Sequence, residues 1–113
     1  ADGVHLPEAL LRRRPGLART RPRPGWVVTA SAHGPAALML AERAGVDAVL
    51  LSPVMATPSH PAAAPIGPLR FTLLCRRVRT AVFALGGIDI SNLRRLKGSG
   101  CGGVAGIGLF TAP

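Results

Sequence analysis

The chain has 113 residues, 48% of them hydrophobic, which suits one modest folded domain and excludes an intrinsically disordered one. Fourteen basic residues, thirteen of them Arg, stand against five acidic ones for a net charge of +9. That charge asks for an anionic partner or for solvated helix faces. With three Phe, one Trp and no Tyr to stack bases, a small phosphorylated metabolite is expected and nucleic acid is not.

In chain order, short apolar runs predict strands over Gly3–Leu6, Trp26–Ala30, Ala48–Ser52, Ala81–Leu85 and Gly103–Ile107. Between them, helical patterns are predicted near Pro7–Arg14, Pro35–Ala44, Gly67–Arg79 and Asp89–Lys97. The strand runs are continuously apolar, as expected where helices cover a parallel sheet. Pro35 suits a first helical turn, Gly45 suits the residue that ends a helix, and Asp89 can cap a helix. The expected class is α/β, built from βα repeats within one domain spanning residues 1–113. No apolar stretch reaches the roughly 18 residues a membrane helix needs, so no membrane partner is expected. Cys75 and Cys101 are too few for a disulfide scaffold and lack zinc-ligand spacing. A reduced, cytoplasmic protein is expected, with no metal site visible in the residue pattern.

The predicted strands start at residues 3, 26, 48, 81 and 103, so the third interval carries about eleven residues more than the others. The excess is Pro53–Ile66, containing Thr57, Ser59 and His60. Loops at the C-terminal ends of parallel strands build active sites, which makes this loop the first candidate region. Gly86-Gly87 leaves a strand and precedes a helix, a context in which open backbone amides can meet an anion. Ile107-Gly108 offers a second such stretch, and paired loops after the last two strands are a common phosphate site. Gly98-x-Gly100-x-x-Gly103 matches a dinucleotide fingerprint by spacing only; it leads into a strand rather than a helix. Ser31 and His33 follow a strand, where a hydroxyl can meet phosphate oxygen and an imidazole can move protons. His5 reads equally well as a satisfied core histidine or a site residue. Asp2, Asp47 and Asp89 are explained by capping.

Ala1-Asp2-Gly3-Val4-His5-Leu6, Ser31-Ala32-His33, the run from Ser52 to Pro61, Pro65-Ile66-Gly67, Ala84-Leu85-Gly86-Gly87-Ile88 with Asn92, and Gly103-Val104-Ala105-Gly106-Ile107 occur in order. Together they resemble the thiamine phosphate synthase/thiazole tautomerase family over essentially the whole chain. The resemblance implies a (β/α)8 TIM barrel of the thiamine phosphate synthase type, of which this chain covers the last five βα units, strands four to eight with their helices. It implies a role in thiamine biosynthesis, joining hydroxymethylpyrimidine diphosphate to thiazole phosphate. It places Ser31 on a diphosphate contact, Thr57 on the thiazole-phosphate loop, and Gly86, Gly87, Ile107 and Gly108 on phosphate-holding backbone. His33 falls on the proton-transfer histidine of the tautomerases.

Two positions depart from the synthase pattern. The Mg2+-binding Asp expected after His5-Leu6 is replaced by Leu10, and the diphosphate-binding Lys that closes the long loop is His60. Both departures favour a tautomerase-like isomerase, with a non-catalytic module that binds a phosphorylated metabolite as a further alternative. Five βα units do not close a barrel of eight. The expectation is that the remaining strands come from the same polypeptide or a partner chain, and that residues 1–113 alone form no stable monomer.

Overall fold

The computed structural model describes residues 2–55, 64–86, 88, 93–96, 98, 100, 101 and 103–105. Five parallel strands form one sheet: β1 (Gly3–Leu6), β2 (Val27–Ala32), β3 (Ala48–Leu51), β4 (Ala81–Leu85) and β5 (Gly103–Ala105), side by side in chain order. Among the described residues, three α-helices accompany them: α1 (Glu8–Arg13), α2 (Pro35–Ala44) and α3 (Pro68–Arg77). Short 3-10 turns occupy Pro15–Arg19 and Leu93–Leu96.

Local chemistry sets these limits. α2 opens on Pro35, whose missing N–H costs nothing in a first turn, and runs through Ala, Leu and Met. It ends at Gly45, whose N–H reaches the carbonyls of Ala41 and Glu42 in a left-handed backbone at φ 84°. α3 also opens on a proline and turns Phe71, Leu74 and Cys75 inward. The expected helix over Asp89–Lys97 is described only at Leu93–Leu96, as a 3-10 turn.

The strands β2, β3 and β4 alternate strictly. Val28, Ala30, Ala32, Val49, Leu51, Val82 and Ala84 lie on the helix-covered face and are almost fully buried. They pack against Leu11, Ala37, Leu38, Ala41, Phe71 and Leu74, where the alanines let helix and sheet approach closely. The opposite face carries Thr29 and Ser31 of β2, Leu50 of β3 and Phe83 and Leu85 of β4, all only partly covered. The side away from the helices is open here.

β2 runs two residues further than the apolar run indicated. Ser31 stands opposite Leu50 and Ala32 opposite Leu51, so ladder pairing with β3 extends the strand through two small residues. At the other end of the sheet, Gly3 lies against β2 so tightly that a Cβ would sit 2.2 Å from the Val27 carbonyl oxygen. Only glycine permits that approach.

Candidate functional site

Because every strand runs the same way, the ends of β1 to β4 share one edge, where α1 and the long loop also begin. His5 is exposed rather than buried in a core. Its Nδ1 lies 2.8 Å from Thr29 Oγ1 and its Nε2 lies 2.8 Å from Ser31 Oγ. The core reading of His5 therefore fails. Ser31 belongs to β2 itself, and its side chain stands on the open face.

His33 follows the strand directly. Its backbone N–H donates to Glu8 Oε1 at 2.8 Å, which ties the start of α1 to the turn after β2. Its Nδ1 lies 3.2 Å from the Ser52 carbonyl oxygen and 3.3 Å from Ser52 Oγ. With the proton on Nδ1, the ring donates to the carbonyl and Nε2 keeps its lone pair. Glu8 also pairs with Arg12 one helical turn on, at 3.6 Å. Residue chemistry alone singled out neither Glu8 nor Ser52. Both meet His33 across gaps of 25 and 19 residues, which no local pattern encodes.

The long loop leaves and re-enters at fixed points. After the cis Ser52–Pro53 bond, Val54 N–H donates to the Leu85 carbonyl and Met55 N–H to that of Gly86, each at 3.0 Å. On return, Ile66 N–H donates to the Pro53 carbonyl and Gly67 N–H to that of Val54, each at 2.8 Å. Gly86 has a packing reason to be glycine: φ is +96°, and a Cβ would come within 2.9 Å of Pro53 Cα. Thr57, His60, Gly87, Ile107 and Gly108 lie outside the described residues.

Leu10, at the position of the expected metal-binding Asp, is partly buried against the core and has no atom to offer a cation. Among the described residues, no three His, Cys, Asp or Glu side chains gather in one place.

The opposite edge is held by ion pairs. Arg21 reaches Asp47 at 2.8 Å, the Trp26 carbonyl at 2.8 Å and the Gly45 carbonyl at 2.9 Å. Asp47 also accepts the Val28 N–H at 2.7 Å, and Arg23 meets Asp2 at 2.9 Å. Asp2 and Asp47 therefore cap no helix; they precede strands and hold arginines. Asp89 lies outside the described residues. The Arg21 hydrogen bond first, then that from Val28, holds the Asp47 carboxyl below its ordinary 3.8. Burial, with a smaller contribution from Cys101, pushes the Cys75 thiol up to about 11. Some of the arginines are thus structural, a use that a reading of solvated faces or anion binding did not include.

A family model described as thiamine monophosphate synthase matches residues 1–110. The chain belongs to the thiamine monophosphate synthase family. It is 39% identical over 110 residues to a thiamine-phosphate synthase homologue of Aquifex aeolicus, covering 97% of this chain and 58% of that protein. It is 34% identical over 113 residues to a counterpart from Geobacter sulfurreducens, covering 99% of this chain and 52% of that one. The chain thus spans about half the length of these relatives. Among solved structures, a thiamine phosphate pyrophosphorylase from Pyrococcus furiosus superposes with a TM-score of 0.68 at 26% identity. That match covers 93% of this chain and 48% of the other. The synthase-family fold expected from the motifs is therefore present as an open, partial barrel of the TIM type. No helix among the described residues is long and apolar enough to cross a membrane.

Proposed function

We propose that the protein acts in thiamine biosynthesis on a thiazole phosphate, and that its chemistry is proton transfer by His33. The observation that carries this reading is the hold on His33. Ser52 engages Nδ1, and Glu8 fixes the backbone N–H. With Nδ1 donating to the Ser52 carbonyl, Nε2 can take a proton from one atom of the substrate and return it to another. That is an isomerisation, with no net gain or loss of protons. A positioned base of this kind contributes on the order of 10²–10⁴ in rate. Ser31, Thr57, His60, Gly86, Gly87, Ile107 and Gly108 are proposed as substrate and phosphate contacts. The substrate is a small phosphorylated metabolite, and the proposed location is the cytoplasm.

A second reading, thiamine phosphate synthase, is favoured by the family match and the names of the relatives. It needs diphosphate to leave, which Mg2+ and a lysine assist in the family pattern; Leu10 and His60 stand at those positions. The discriminating experiment is a pair of assays on the full-length protein. Isomerisation of thiazole phosphate without added metal is the expected result. Mg2+-stimulated formation of thiamine phosphate would replace the isomerase with the synthase. Ligand binding without either turnover would leave only a binding module.

A further inference from the structure

His5 spans two hydroxyls of the neighbouring strand, with Nδ1 and Nε2 each 2.8 Å from an oxygen, of Thr29 and Ser31 respectively. Each hydroxyl can donate or accept, so the three side chains cannot choose their protons independently. Suppose the ring carries one proton, on Nδ1. Thr29 then accepts it, and Ser31 must give its own proton to Nε2, leaving only lone pairs for a ligand. If the proton sits on Nε2, Ser31 accepts from the ring and its own proton is free for an outside acceptor. Thr29 in turn donates to Nδ1. A doubly protonated ring donates to both hydroxyls and frees both of their protons. Ser31 is a fully available donor to a ligand in the second and third arrangements, and not in the first.

We propose that His5, held by Thr29, is a positioning residue that makes Ser31 a hydrogen-bond donor to a phosphoryl oxygen of the ligand. The inference rests on the reading of Ser31 as a phosphate contact given above, and it supplies the group that aims that contact. The backbone fixes the arrangement: His5 stands opposite Thr29 in the ladder, and Ser31 is the next residue along on the same open face. β2 carries no ionisable side chain between Val27 and Ala32, so hydrogen bonding alone sets the direction of the Ser31 hydroxyl on its own strand. A phosphoryl group, which accepts and never donates when fully ionised, selects the arrangements that free the Ser31 proton.

The test uses the full-length protein, inorganic pyrophosphate and inorganic phosphate as probes, calorimetry for affinity, and long-range proton–nitrogen spectra for the His5 ring. The saturated wild type is expected to carry the His5 proton on Nε2, or on both nitrogens. Thr29→Val, which keeps the shape and removes the hydroxyl, is expected to weaken pyrophosphate binding about fivefold to tenfold, the usual range for one hydrogen bond. Thr29→Ser is expected to restore it, which a purely structural role for the threonine would not predict. A saturated wild-type ring protonated on Nδ1 alone would overturn the proposal, and this readout requires no variant to fold. So would unchanged affinity in Thr29→Val, or a wild type that binds neither probe. Intact probe binding with the expected ring state but no isomerisation would sink the isomerase reading and leave this inference standing. Isomerisation with a ring protonated on Nδ1 alone would do the reverse.

Discussion

The two edges of this sheet are built from different chemistry. At the edge where strands begin, acidic side chains meet arginines and backbone N–H groups: Asp47 with Arg21 and Val28, Asp2 with Arg23, and Glu42 with the N–H of Arg79. At the edge where strands end, the polar groups among the described residues are mainly imidazoles and hydroxyls, joined by Glu8 and its partner Arg12. Arg21 and Asp47 each bind backbone groups as well as one another, which holds them in place. Imidazole–hydroxyl sets have several arrangements of similar energy and can change their protons when a ligand arrives. The first edge is suited to holding the fold, the second to chemistry.

The largest effect expected from probing this contrast lies at the strand ends. His33→Asn should lower isomerisation by about 10²–10⁴ while leaving the thermal midpoint within a few degrees, since His33 is not part of the packed core. Retained turnover in steady-state assays would remove His33 from the chemistry.

At the strand starts the effects should reverse, with stability falling and affinity holding. Gly3→Ala forces a Cβ against the Val27 carbonyl and should cost about 2–3 kcal/mol in chemical denaturation. Arg21→Ala removes a side chain that reaches two carbonyls and a carboxylate, and should cost about 1–2 kcal/mol. Little change in the denaturation midpoint would show that water replaces the guanidinium.

Acid should expose the same asymmetry more gently. The folded-state value of Asp47 is depressed, so the stability it contributes is present above about 3.8 and is lost as pH falls through the lower folded value. Arg21→Ala removes the main cause of that depression and should flatten the loss of stability below pH 4. A variant whose acid unfolding curve parallels the wild type would rule out the Arg21–Asp47 pair as its source.

Much of the packed core could be read from residue order, while the Arg21–Asp47 and Arg23–Asp2 pairs of the strand-start edge could not. The apolar runs, the proline and glycine at the ends of α2, and the boundaries of β1 and β4 follow from local propensity, which one stretch of chain can express. The extent of β2 did not, because Ser31 and Ala32 join the strand only through pairing with Leu50 and Leu51. His5 stays open between core and site in the sequence for a related reason. Its neighbours in sequence are apolar, but the groups that engage it lie 24 and 26 residues away. Ser52 and Glu8 were invisible as partners of His33 on the same account. Where a site is assembled by register between strands, residue types are legible and pairings are not.

The hydrogen bonds from Ile66 and Gly67 back to Pro53 and Val54 have an evolutionary consequence. The chain departs toward the longest connection and returns from it at adjoining points, both tied to the end of β4 or to one another. The ends of that connection are therefore set by the scaffold and not by the residues between them. For such a closed excursion, each doubling in length adds only about 0.6 kcal/mol of closure entropy. Natural variation can thus rewrite the intervening residues while the sheet that presents them is inherited unchanged.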